Sequence, residues 1–123
     1  MEDHLILEHL CRLATDFYLG SKSMMQLIIE SGIDKSPSLL NRAAISSYLT
    51  GHVDLIEAWL RWSADKRVSS GWYFSERDGG YRVALYPKGE KLEFSDPAVA
   101  CAEFIVREVS ALEATQGVST RSD

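Results

Sequence analysis

The hydrophobic period of this chain changes near its middle. Up to Ser63 apolar residues recur every three or four positions, the spacing of one helix face; from Trp72 they recur every second position, the spacing of a half-buried strand. A run of helices followed by a run of strands joins a helical part to a separate sheet, so the expected class is α+β rather than an alternating α/β layout.

Within residues 1–63 the pattern predicts a bundle of about four short helices. Ile6, Leu10, Leu13 and Phe17 form the apolar stripe of the first, with Glu8, Arg12 and Asp16 as a polar ladder and Gly20 near its end. Ser23 and Gln26 have capping-box spacing and Gly32 suits a left-handed C-terminal position, which brackets a second helix. Ser36 and Pro37 are the expected start of a third, closed by Gly51. In the fourth, Val53, Ile56 and Leu60 make one stripe and Leu55, Trp59 and Trp62 its neighbour, an apolar arc wide enough for burial on two sides.

Residues 70–94 predict a three-stranded antiparallel meander. Trp72, Phe74 and Glu76 alternate with Tyr73, Ser75 and Arg77; after Asp78, Gly79 and Gly80, whose chemistry suits a positive-φ turn, Tyr81, Val83 and Leu85 alternate with Arg82, Ala84 and Tyr86. Leu92 and Phe94 continue the inward set beyond a second turn. Such a sheet needs a cover, and a C-terminal helix over 96–114 supplies it, with Asp96 as cap and Pro97 in its first turn. Val99, Cys101, Ala102, Ile105, Val106, Val109 and Leu112 are its apolar side; Glu103, Arg107 and Glu113 are expected outward. The polar tail 115–123 is expected to fray. The four segments form one domain, 1–123, a size consistent with 123 residues of which 46% are hydrophobic.

The charge balance, 13 Lys and Arg against 18 Asp and Glu, gives a formal −5, which repels phosphate backbones and favours basic partners. Cys11 and Cys101 lie on apolar helical faces, so buried free thiols are expected ahead of a disulfide. Acidic residues at the start and the lack of a long apolar run point to a cytoplasmic protein without a membrane partner.

Reactive constellations are sparse. His4, His9 and His52 lack the spacing of a helical zinc site, the cysteines lack C-x-x-C spacing, and no nucleophile elbow or phosphate-cradling glycine loop occurs. No cofactor, no metal and no small-molecule substrate are expected, and the chain reads as a non-enzyme. Around "SGIDKSPS" a helix pair has the outline of a helix-turn-helix whose second helix would offer Ser38, Asn41, Arg42, Ser46 and Ser47. Only one of these is basic, so an αα-hairpin is the preferred reading and a nucleic-acid-binding regulator the alternative.

The stretch "DKRVSSGWYFSER" brings these threads together. Lys66 and Arg67 are expected to complement the C-terminus of the fourth helix. Trp72 and Phe74 belong to the core, which leaves Tyr73, with Tyr86, on the other face. Tyr73, Arg77, Arg82 and Tyr86, with Glu76 and Asp78 at the turn, then form a candidate partner-binding surface, since Tyr and Arg favour interface centres. A second candidate is an acidic side of the last helix, Glu103 and Glu108.

Across residues 62–110, "DKRVSSGWYFSERDGGYRVALYP" followed by "FSDPAVACAEFIVREV" resembles the C-terminal half of small bacterial immunity proteins of contact-dependent growth inhibition and related polymorphic toxin systems. The resemblance implies a protein without chemistry of its own that binds a cognate toxin C-terminal domain, frequently a basic nuclease, and blocks its active site. It carries no site residues with it.

Overall fold

The computed structural model describes residues 2–66 and 71–121. Among them the order is α1 (Glu2–Cys11), α2 (Leu13–Leu19), α3 (Met24–Ser31), α4 (Arg42–Leu49), α5 (Val53–Asp65), β1 (Gly71–Arg77), β2 (Gly80–Tyr86), β3 (Lys91–Phe94) and α6 (Pro97–Arg121). The α+β class, the antiparallel order β1-β2-β3 and a C-terminal helix on the sheet are as the sequence pattern indicated. Five helices rather than four precede the sheet.

The extra helix arises because the backbone breaks at Arg12, whose φ of −93° and ψ of 2° leave helical geometry, although the apolar stripe continues across it from Leu10 to Leu13. At that break the Cys11 carbonyl accepts the indole N–H of the fully buried Trp59 at 2.9 Å. A second correction concerns α4. Pro37 begins only a 3-10 turn over Pro37–Leu39, and the helix starts after Asn41, whose side-chain oxygen accepts the Ala44 N–H at 2.8 Å. Asn41 matches Ser36 as a cap, and the non-helical Leu40 between them separates the two turns. The cap of α3 is as expected on one side only: Ser23 Oγ accepts the Gln26 N–H at 3.1 Å, but the Gln26 amide turns to Glu30. Gly32 closes that helix at φ 84°. On α5 the buried set is Leu55, Ile56, Trp59, Trp62 and Ser63, while Val53 is exposed.

In the sheet, Trp72 faces Leu85 and Phe74 faces Val83 across the first hairpin. Asp78 at φ 48° and Gly79 at φ 80° are the two central residues of its turn, the left-handed pair that matches strand twist. Trp72, Phe74 and Val83 are buried on the inner face.

The largest difference from expectation is α6. Instead of covering the sheet with one side, it lies between the sheet and helices α4 and α5, touching all three strands. Ala98, Ala100, Cys101, Ala102, Phe104, Ile105 and Val109 are buried, and so are Glu103 and Glu108. Small residues at 98, 100 and 102 let neighbours approach its axis from several directions. Phe104 is the junction: it stacks on Phe74 at 5.7 Å and meets Trp59 edge-on at 5.9 Å, tying sheet to bundle. Full burial of each such ring is worth about 1.5–3 kcal/mol. The helix also continues beyond Ala114 to Arg121, where fraying was expected; no proline interrupts it.

Candidate functional site

Alternation places Tyr73, Ser75 and Arg77 of β1, and Arg82, Ala84 and Tyr86 of β2, on the face turned away from α6. This face is not an open plane. The end of α5 runs beside β1, and Ser63 Oγ accepts the Phe74 N–H at 2.8 Å, so the helix is fastened to the strand edge. Together they enclose a trough of about 570 Å³. Its floor is Tyr73, Ser75, Ala84 and Tyr86; Leu60 and Ala64 of α5 form the wall; Arg77, Arg82 and Glu76 stand at the rim.

The floor is shaped by packing on both sides of the strands. Ala84 lines the trough although only 3% exposed, and it opposes Tyr73. Tyr73 is half-buried rather than free: its ring meets Tyr86 at 5.1 Å, and the Lys66 ammonium stands 4.9 Å from its centre. Tyr86 is 48% exposed and presents the larger accessible ring.

The rim charges differ in their partners. Arg82 donates to Glu93 at 2.7 Å, across the β2–β3 pair. Arg77 is exposed, with no carboxylate paired to it among the described residues. Glu76 and Asp78 are exposed at the hairpin end. Five of the six sheet residues proposed from the sequence line this trough along the length of the hairpin, and Asp78 lies beyond it, against the neighbouring hollow shared with Arg77 and Glu93.

Lys91 and Glu93 of β3 share the outer face, being paired with Ala84 and Arg82. By alternation the outer face carries Arg77, Arg82 and Lys91 against Glu93, with Glu76 at the rim of the trough, so it is less acidic than the chain's formal −5.

The second proposed surface is corrected. Glu103 is 9% and Glu108 5% exposed, so neither belongs to an open acidic side. Glu103 is gripped by Arg107 at 2.6 Å and Arg42 at 3.2 Å. Glu108 receives Lys66 at 3.2 Å. Burial raises the Glu108 carboxyl above its ordinary value, and the Lys66 ammonium offsets this only in part. Lys66 is thus not a surface charge complementing a helix end: it also donates to the Trp72 carbonyl and ties α5, β1 and α6 together. Arg67 lies outside the described residues.

Elsewhere the candidates recede into structural roles. Arg42, the basic residue of the helix-turn-helix alternative, is committed to Glu103, and Asn41 to its cap. Cys11 and Cys101 are buried free thiols as expected; burial pushes Cys11 up to about 12 and Cys101 well upward, which suppresses thiolate. His52 stacks on Tyr48 at 4.7 Å and contacts its carbonyl. Among the described residues no group of three or more His, Cys, Asp or Glu could hold a metal, and no helix is long and apolar enough to cross a membrane.

Sequence reasoning missed the wall and the fastening. Leu60 and Ala64 fall on a helix read as bundle core, and Ser63 carries no motif. Only the wide apolar arc of α5 signalled a second neighbour. Comparison with family models, curated proteins and solved structures finds no match to this chain.

Proposed function

We propose that this chain is a binding protein of the immunity class, which engages a cognate toxin domain, a nuclease in the leading case, and blocks its active site. The observation that carries the reading is the trough: a concave surface with two tyrosines, two arginines and an apolar wall, built on strands whose opposite face is locked to α6 by Trp72, Phe74 and Val83. A surface anchored in this way is ordered before binding, so little conformational entropy is lost on association. Tyr, here on its floor, and Arg, here at its rim, are side-chain types that concentrate binding energy. The overall negative charge would speed the approach of a basic domain, while local charges at the rim would fix register and reject wrong partners.

Co-expression with the C-terminal domain encoded by the neighbouring upstream gene tests the reading in cells. Rescue of growth is the expected result. Continued killing, with both proteins detectable, refutes neutralisation of that toxin.

A further inference from the structure

We infer that the trough receives an extended acidic segment of the partner protein, with an apolar side chain seated between α5 and the tyrosine pair and carboxylates at Arg77 and Lys91. The inference rests on the binding-protein reading above and specifies the chemistry of what enters the site.

Two features of the face select this occupant. The first is shape. Leu60 and Ala64 of α5 line the same trough of about 570 Å³ as Tyr73 and Tyr86, a volume within the range of sites that take ligands of a few residues, and its apolar wall suits one apolar side chain. The second is charge. The outer face carries Arg77 and Arg82 in the trough and Lys91 beside it, paired with Ala84, against Glu93 and the rim residue Glu76. Arg82 is already matched by Glu93, so Arg77 and Lys91, both exposed, are the cations left to receive carboxylates. An exposed guanidinium can grip a carboxylate through two parallel hydrogen bonds. A basic segment would meet like charge there, although the chain as a whole would attract it.

The same face could suggest stacking of nucleic-acid bases on tyrosine. Tyr73 and Tyr86 meet at an interplanar angle of 63°, which is not a flat platform for stacked bases. The acidic peptide is therefore the occupant the geometry favours.

The experiment is an amide NMR titration at low salt with three probes: a pentapeptide alternating aspartate and leucine, the same peptide with lysine for each aspartate, and a short thymidine oligonucleotide. The acidic peptide should shift the amides of Tyr73, Ser75, Arg77 and Ala84 and bind about tenfold tighter than the lysine peptide. Arg77→Glu should erase or reverse that preference, and Ala64→Trp should fill the trough and abolish the shifts. Both positions are exposed, and the comparison of peptides on the unaltered protein needs no variant. Absence of shifts, shifts elsewhere, equal or reversed preference, or tighter binding of the oligonucleotide at these amides would each overturn the proposal.

Failure here is separable from failure of the immunity reading. If the unaltered protein and Arg77→Glu neutralise the toxin equally, the trough is not the contact and the binding-protein reading survives. If the peptide preference holds but the toxin still kills, the trough chemistry stands and the immunity assignment falls.

Discussion

The two faces of the sheet are made by the same seven-residue strands, yet they have opposite fates. On the inner face Trp72, Phe74 and Val83 meet α6 and are removed from water. On the outer face, among the described residues, the end of α5 covers part of the surface and leaves a trough. The contrast teaches that exposure here is decided by what the other elements leave uncovered, because Ala84 on the outer face is as buried as its inner neighbours. It also teaches where charge is tolerated. Charges on the outer face remain in water, whereas Lys66, Glu103 and Glu108 are inside because α6 is enclosed.

The comparison can be broken most severely from the inside. Phe74→Ala, or Trp72→Ala, should lower stability by about 3–5 kcal/mol through the cavity left against α6, seen in urea or thermal unfolding. A loss below about 1 kcal/mol for both would mean that the inner face is not packed as described.

Next comes the buried pair. Lys66→Met should cost about 3 kcal/mol, because Glu108 keeps a desolvated carboxylate without its ammonium, and Lys66→Met with Glu108→Leu should recover most of the loss. Additive loss in the double variant would show that the pair does not act as a unit.

A smaller effect is expected from the fastening of the trough wall. Ser63→Ala leaves the Phe74 N–H without its partner and should cost about 1–2 kcal/mol, with faster amide exchange at Phe74. Unchanged exchange there would detach α5 from the strand edge.

Glu108 also gives the inside a pH signature. Its carboxyl is raised from 4.5 in the folded protein, so the native state holds its proton to higher pH than the unfolded chain does. Its contribution to stability is therefore fully present below the unfolded value and is lost as pH rises through the folded one. The stability of the unaltered protein relative to Glu108→Gln should grow as pH falls through that window; a difference that grows with rising pH would reverse the sign.

The outer face should show the least effect on stability and the most on binding. Arg77→Glu and Tyr86→Ala should stay within about 0.5 kcal/mol of the parent in unfolding, while weakening a partner held at the trough. Losses equal to that of Phe74→Ala would show the two faces to be assigned the wrong way round.

Several elements were legible in advance because their signals are local. Strand alternation, the Asp78-Gly79 turn and the Asp96 cap involve residues within a few positions of one another, and the structure has each of them. The break at Arg12 and the late start of α4 were not legible. The first accompanies a bond from Trp59, far along the chain, and the second was a choice between two good caps. At the candidate site, the grouping of Tyr73, Arg77, Arg82 and Tyr86 followed from period two. Glu103 and Glu108 were misplaced because helical periodicity names one apolar side, and α6 has neighbours on more than one. The small residues of "PAVACA" were the available clue to that enclosure.

The order of residues by itself determined the class of fold, the pairing of strands and the side of the sheet on which each side chain stands, since these depend on short-range geometry and a twofold repeat. Only the tertiary structure decided which charges lie inside, and where α5 walls the outer face to leave a trough there. Those outcomes depend on distant segments meeting, and the energy of a charge or a ring is set by the neighbours it meets there.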